Sequence, residues 1–206
     1  MQQSLFDTEA WPLAGVDEAG RGPLAGPVVA GAVILSAGDP IPGLADSKCL
    51  SATRRVELAD EIMRRSLACS VAWADPAEID RLNILQATLL AMRRAILGLR
   101  IQPACVVVDG NRLPNLDFHG RRIDGSAVVG GDASVPAISA ASIIAKVRRD
   151  EIMRAMDAIY PQYGFRRHKG YATVDHRERL GHYGPCREHR RSFSPVSAMI
   201  SSRQND

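Results

Sequence analysis

Residues 16–27 read Val-Asp-Glu-Ala-Gly-Arg-Gly-Pro-Leu-Ala-Gly-Pro, and this stretch constrains the fold more than any other. Two adjacent carboxylates, Asp17 and Glu18, close a short apolar run of Leu13, Ala14 and Val16. Glycines at 20, 22 and 26, the cation Arg21 and prolines at 23 and 27 follow directly, and residues 28–35 are apolar and rich in β-branched side chains. The pattern predicts a strand, a glycine loop and a second, buried strand. Such a turn presents negative charge beside exposed backbone N–H groups, which suits a hard metal ion and a phosphate backbone. In a regular strand Asp17 and Glu18 face opposite ways, so the strand is expected to end or bulge at this pair.

Further along, Ser51 is a natural N-cap for a helix over 52–66 with Val56, Ala59, Ile62 and Met63 on its inner face. Residues 67–74 read as a third strand. Asp75-Pro76 opens a helical stretch to Leu99, interrupted near Asn83. Residues 104–108 form a fourth strand ending in Asp109-Gly110-Asn111. The stretch 112–125 reads as irregular, and a brief strand at 126–129 leads into Gly130-Gly131-Asp132. A long helix from Val135 to Ile159 follows, with Ser134 as its N-cap and small residues that permit close packing on a sheet. A short helix near 174–180, stopped by Gly181, is expected in the tail. The order predicts a mixed α/β sheet with a C-terminal extension. One domain over residues 11–206 is expected, with a flexible leader at 1–10 and a basic extension from about 160 to 206.

Asp17, Glu18, Asp109 and Asp132 share a setting: each closes a β-rich apolar run beside glycine. Carboxylates gathered at strand ends repel unless a cation binds, so the cluster implies a metal. Oxygen-only ligands favour magnesium or manganese over zinc. Two such ions can activate a water and stabilise the leaving oxygen of a phosphodiester. His168, His176, His182 and His189 are spaced too irregularly for zinc and read as surface residues or phosphate contacts.

Charge points the same way. Residues 160–206 carry nine Lys or Arg against four Asp or Glu, whereas residues 1–159 carry seventeen against nineteen. A basic extension joined to a body with placed acids fits a polyanionic partner. No apolar run approaches the roughly 20 residues that span a bilayer, and the start lacks a secretory pattern, so the cytoplasm is the expected compartment. Gly20, Gly22 and Gly26 with Asp39 loosely spell a dinucleotide fingerprint. That motif requires a helix after the glycines, and a strand follows here. A non-catalytic nucleic-acid-binding module leaves the four acids without purpose.

Over about residues 13–197 the chain closely resembles bacterial ribonuclease HII. The resemblance rests on Asp17-Glu18-Ala19-Gly20-Arg21-Gly22-Pro23, Asp46-Ser47-Lys48, Val108-Asp109-Gly110-Asn111, Ile138-Ser139-Ala140-Ala141-Ser142-Ile143 with Ala145-Lys146-Val147, and His168-Lys169-Gly170-Tyr171. It implies an RNase H-like mixed sheet with flanking helices. It also implies an endonuclease that cuts the RNA strand of RNA–DNA hybrids and nicks at ribonucleotides embedded in duplex DNA, leaving 3′-hydroxyl and 5′-phosphate ends. By the resemblance Asp17, Glu18, Asp109 and Asp132 are catalytic, the first three as metal ligands for manganese or magnesium. The family commonly has lysine where Gly130 stands before the Gly-Asp step. Gly20, Arg21 and Gly22 are implied to contact the 2′-hydroxyl and adjoining phosphates, since backbone without side chains approaches a sugar closely. Lys48 is implied to hold phosphate, and Tyr171 to stack on the sugar just past the cut. Separately, Gln2-Gln3-Ser4-Leu5-Phe6 resembles the short peptide by which bacterial proteins dock on the replication sliding clamp.

Overall fold

The computed structural model describes residues 12–44, 47, 50–118 and 120–204. The expected leader, the clamp-like peptide at 2–6 and the Asp46 and Lys48 positions lie outside those residues.

Strand β1 (Leu13–Ala19) pairs antiparallel with β2 (Val28–Ile34), whose seven residues are all buried. A strand covered on both faces reads as a continuous apolar run, which is the pattern of residues 28–34. Strand β3 (Ala68–Ala74) extends this side antiparallel, while β4 (Cys105–Asp109) and then β7 (Asp124–Val128) add parallel strands beyond β1. The sheet order is β3-β2-β1-β4-β7. Between β4 and β7, in the stretch read as irregular, a two-residue hairpin of β5 (Asp117–Phe118) and β6 (Arg121–Arg122) forms.

Helices cover both faces. On one, α2 (Pro76–Leu82) contributes Ile79 and α3 (Ile84–Leu97) contributes alanines 87, 91 and 95 to a core shared with Ala14, Val16, Val106 and Val108. The break between them falls on Asn83, whose side chain caps α3 by accepting from Leu85 and Gln86 N–H. On the other face lie α1 (Ala52–Arg65) and α5 (Pro136–Ile159). The inner face of α1 is Leu58, Ala59 and Ile62, while Val56 and Met63 are exposed. Arg55, donating to the Ser47 and Leu50 carbonyls, takes the fourth position of the inward stripe and rotates it from the expected one.

Helix α5 lies unusually close to the sheet. A Cβ on Gly15 of β1 would fall 2.1 Å from the Ala137 carbonyl carbon, so only glycine admits the helix backbone at this distance. Ser134 is not its N-cap. A one-turn helix, α4 (Gly131–Ser134), intervenes, and Val135 starts α5 without a side-chain cap because Pro136 at the first position needs no partner for an N–H.

The extension contains a 3₁₀ turn (Pro161–Tyr163), α6 (Phe165–His168), α7 (Val174–Tyr183) and α8 (Ser194–Gln204). Helix α7 runs past Gly181 and stops at Gly184. His176 and His189 are fully buried beside Phe165 and Tyr163, so neither is the surface group expected of it. Burial pulls both imidazoles down to about 4, aided for His176 by His168 and for His189 by His176. They stay neutral in the folded chain while an unfolded chain protonates them below about pH 6.5. Their stabilisation is therefore complete above that pH and drains as pH falls toward 4, at about 1.4 kcal/mol per pH unit per ring. Asp17, whose carboxyl is shifted upward, acts in the opposite sense. Thermal melts from pH 7 to 4.5 of an Asp17→Asn protein are expected to show a falling midpoint, and a flat profile contradicts the buried, neutral pair.

Candidate active site

Alternation along the central strands decides which acids meet. In β1 the side chains of Ala14 and Val16 face α3, so Gly15 and Asp17 face α5. In β4, Val106 and Val108 likewise face α3, while Val107 packs with Val135 and Ile138 and Asp109 follows on its side. The parallel register aligns Val16 with Val108, which sets Asp17 and Asp109 at one height on neighbouring strands. Carboxylate oxygens of Asp17, Asp109 and Asp132 all lie within 4.8 Å of one another.

Asp132 arrives from α4, and its placement is tied to the other acids. Asp109 Oδ1 accepts from Gly131 N–H at 2.8 Å and from Asp132 N–H at 3.4 Å, while Ser139 Oγ donates to the Asp132 carbonyl at 2.6 Å. The first turn of α4 thus leans its N–H groups on the β4 carboxylate, where helix-terminal N–H groups favour negative charge.

Glu18 is placed differently. Strand β1 neither ends nor bulges at the pair, for its ladder with β2 continues through Ala19. Glu18 therefore points away from the three aspartates, toward the α3 side, yet lines the same cleft at the strand end. Arg21 approaches its carboxylate at 3.4 Å.

Asp17 is 5% exposed, and burial, then the charges of Glu18 and Asp109, push its carboxyl well above the usual range. The Glu18 N–H, at 2.7 Å, and the Ser142 hydroxyl oppose that shift. Three converging oxygen donors that repel one another form a site a divalent cation fits, because its charge removes the repulsion.

The loop after β1 is anchored from behind by two arginines the sequence reading did not single out. Arg149 of α5 donates to the carbonyls of Pro27 at 3.1 Å, Ala25 at 3.2 Å and Lys169 at 3.1 Å. Arg190 donates to Gly26 at 2.9 Å, Arg21 at 2.7 Å and Gly20. Both are 1% exposed or less, and burial lowers them to about 10 and about 9, the second also through Arg149. They remain cationic at neutral pH. Gly20 has φ +97°, and a Cβ there would fall 1.9 Å from Arg149 Nε, so glycine is required twice over. One signal was available for Arg149: it continues the inward stripe Ala145, Arg149, Met153 at helical spacing.

A cleft of about 270 Å³ joins these parts, lined among others by Asp17, Asp109, Gly20, Gly22, Lys146 and Tyr171. The Tyr171 ring is half exposed and lies against Gly22, 3.8 Å from where a Cβ would be. Lys146 pairs with Asp150 at 2.7 Å. Of the residues singled out from sequence, the structure brings Asp17, Glu18, Asp109, Asp132, Gly20, Arg21, Gly22 and Tyr171 to one end of the sheet.

A model of the ribonuclease HII family matches residues 14–196. The protein described as ribonuclease HII in Albidiferax ferrireducens is 59% identical over 199 residues, which is 97% of this chain and 94% of that protein. The ribonuclease H2 from Pyrococcus horikoshii OT3 superposes with a TM-score of 0.78 at 27% identity, covering 94% of this chain and 99% of that one. The ribonuclease HII of Archaeoglobus fulgidus, solved in complex with PCNA, superposes at 0.74 with 30% identity, covering 91% and 96%.

Proposed function

The chain belongs to the ribonuclease HII family, and from that premise we propose how its cleft recognises and cuts a substrate. Its fold is the mixed sheet with flanking helices of the ribonuclease H neighbours, and the family's activity is metal-dependent endonucleolysis of the RNA strand of RNA–DNA hybrids. The proposal adds a second substrate, duplex DNA with one embedded ribonucleotide, and ends that carry 3′-hydroxyl and 5′-phosphate.

The observation that carries it is the meeting of three carboxylates with an arginine-backed glycine loop in one cleft. Asp17, Asp109 and Asp132, with Glu18 at the margin, would hold divalent manganese or magnesium. Ions held there supply the activation of a water and the neutralisation of charge on the departing oxygen. The protein's own groups do the rest. Arg149 and Arg190 draw the loop carbonyls inward and place two buried positive charges behind the peptide groups of residues 20–22. That field favours phosphate, while the absence of side chains at Gly20 and Gly22 leaves room for a ribose. Tyr171, over Gly22, stacks on the sugar just past the cut. The substrate's 2′-hydroxyl is then a recognition group, not the nucleophile. Lys48 is proposed to hold phosphate on the strength of its motif alone.

Residues 2–6 are proposed to dock on a sliding clamp, a reading supported by the archaeal relative solved with PCNA. No helix among the described residues is long and apolar enough to cross a membrane, and we place the enzyme's work in the cytoplasm.

The test is a duplex bearing a single ribonucleotide, incubated with manganese or with chelator. A nick at the ribonucleotide is expected only with metal, with its ends assigned by ligation and phosphatase treatment. Binding without a nick would instead favour a non-catalytic module.

A further inference from the structure

Tyr171 stands on the turn between α6 and α7, and its carbonyl is held twice, by Thr173 N–H at 2.8 Å and by His176 Nδ1 at 2.8 Å. A carbonyl only accepts, so Nδ1 of His176 carries the proton. A neutral His176 then offers Nε2 as an acceptor, and the atom facing it at 3.1 Å is Nε2 of His189, which must donate. Nδ1 of His189 is thereby the acceptor, and Cys186 N–H donates to it at 3.1 Å. The chain runs in one direction, from the Cys186 amide through two imidazoles to the Tyr171 carbonyl, with every role fixed by its two ends.

Nothing in the chain is free to reverse. A proton added to either ring sets two N–H groups face to face, at the His176–His189 link or at the Cys186 amide. The neighbours that bear on the pair are also set. His168 stacks on His176 at 4.3 Å, donates through Nε2 to the Tyr163 carbonyl at 2.8 Å and accepts Gly170 N–H at 3.2 Å. Asp175 is engaged by Arg167 and Arg179, and the Cys186 thiol lies 3.2 Å from His189 Nδ1.

We propose that His176 and His189 are positioning residues. Their directed hydrogen-bond chain fixes the Tyr171 main chain, and so the ring over Gly22, from the far side of the C-terminal extension. The proposal rests on the reading of Tyr171 as the sugar contact and deepens it. Burial of an apolar ring would stabilise the extension as well, but it would not select between donor atoms. The chain therefore predicts dependence on one nitrogen.

His176→Asn places an amide N–H near the position of Nδ1, whereas His176→Gln places its amide near Nε2. kcat and KM are measured for both variants and for Tyr171→Ala, on a single-ribonucleotide duplex and on a continuous hybrid, with melting temperatures alongside. The expected result is a loss of about tenfold or more in kcat/KM for His176→Gln on the single ribonucleotide, with the hybrid changed by less than about threefold, and a smaller loss for His176→Asn, which keeps the donor to the Tyr171 carbonyl but not the acceptor for His189. Equal losses for the two variants on both substrates, in step with their melting temperatures, would overturn the positioning role. If Tyr171→Ala alters substrate preference and His176→Gln does not, only the histidine chain fails. If Tyr171→Ala leaves preference unchanged, the sugar-contact reading fails and the proposal with it. Nitrogen-15 spectra of the unmutated protein provide a second test that needs no variant to fold. They are expected to show His176 protonated at Nδ1 and His189 at Nε2, and the opposite tautomers overturn the chain.

Discussion

Asp17→Asn is expected to lower metal-dependent cleavage by about a thousandfold, while raising the melting temperature of the metal-free protein. The two effects have one cause. The Asp17 carboxylate is buried, shares a 4.8 Å site with Asp109 and Asp132, and is held toward its protonated form by burial and by its neighbours' charge. Without a cation that charge is a cost to the fold, and its removal is expected to raise the melting temperature of the metal-free protein. The Glu18 amide keeps an acceptor, since the asparagine side-chain oxygen replaces the one it uses now. Adding manganese is expected to raise the melting temperature of the parent, by about 2.7 kcal/mol of stabilisation at a hundredfold excess over Kd, and to leave the variant nearly unmoved. Retained cleavage would remove Asp17 from the metal set. A lower metal-free melting temperature would make the residue a structural hydrogen-bond partner instead.

Gly15→Ala is expected to cost about 3 kcal/mol or more and to remove activity with it, although Gly15 brings no functional group to the cleft. The added methyl would sit 2.1 Å from the Ala137 carbonyl carbon and 2.4 Å from Ile138 nitrogen. These are backbone atoms in the first turn of a 24-residue helix, so no side-chain rotation relieves the overlap. Helix α5 must lift from β1, loosening Ala140, Ala141 and Ile143 and shifting Ser142 and Arg149 against the cleft. Urea midpoints for Gly15→Ala and for Gly38→Ala check the claim. Gly38 has nothing within 4 Å of its would-be Cβ, and its change is expected within about 0.5 kcal/mol. Equal midpoints would show that α5 does not depend on this close approach.

What the sequence disclosed follows from how local each signal is. The strand-loop-strand unit around Asp17 and the strand ending at Asp109 declare themselves in a dozen residues, because apolar β-branched runs and glycines are local patterns. The break at Asn83 was equally legible, its side chain being a helix cap. Asp132 was legible as a member of the acidic cluster, but the contact that aims it was not. That contact is α4 leaning on Asp109, across more than twenty residues, and no spacing encodes it. The expectation of a bulge at Asp17-Glu18 assumed that both acids must face one point, whereas β1 stays regular and divides them between its faces. On α1 a charged residue, Arg55, occupies an inward position, so an apolar count chose the wrong stripe. The burial of His176 and His189 was hidden for a related reason. Polar rings in a basic tail look solvated until the hydrogen bonds that let them be buried are seen.

The grip of Arg190 on the loop at residues 20–26 has a bearing on how the molecule is made. A ribosome delivers the sheet strands and their acids long before it delivers position 190, and the peptide groups of Gly20, Arg21 and Gly26 wait for that guanidinium. A growing chain therefore carries the acids without a finished cradle for nucleic acid. On the reading given to that loop, the polypeptide becomes a competent nuclease only after position 190 has been translated and has closed on residues 20–26.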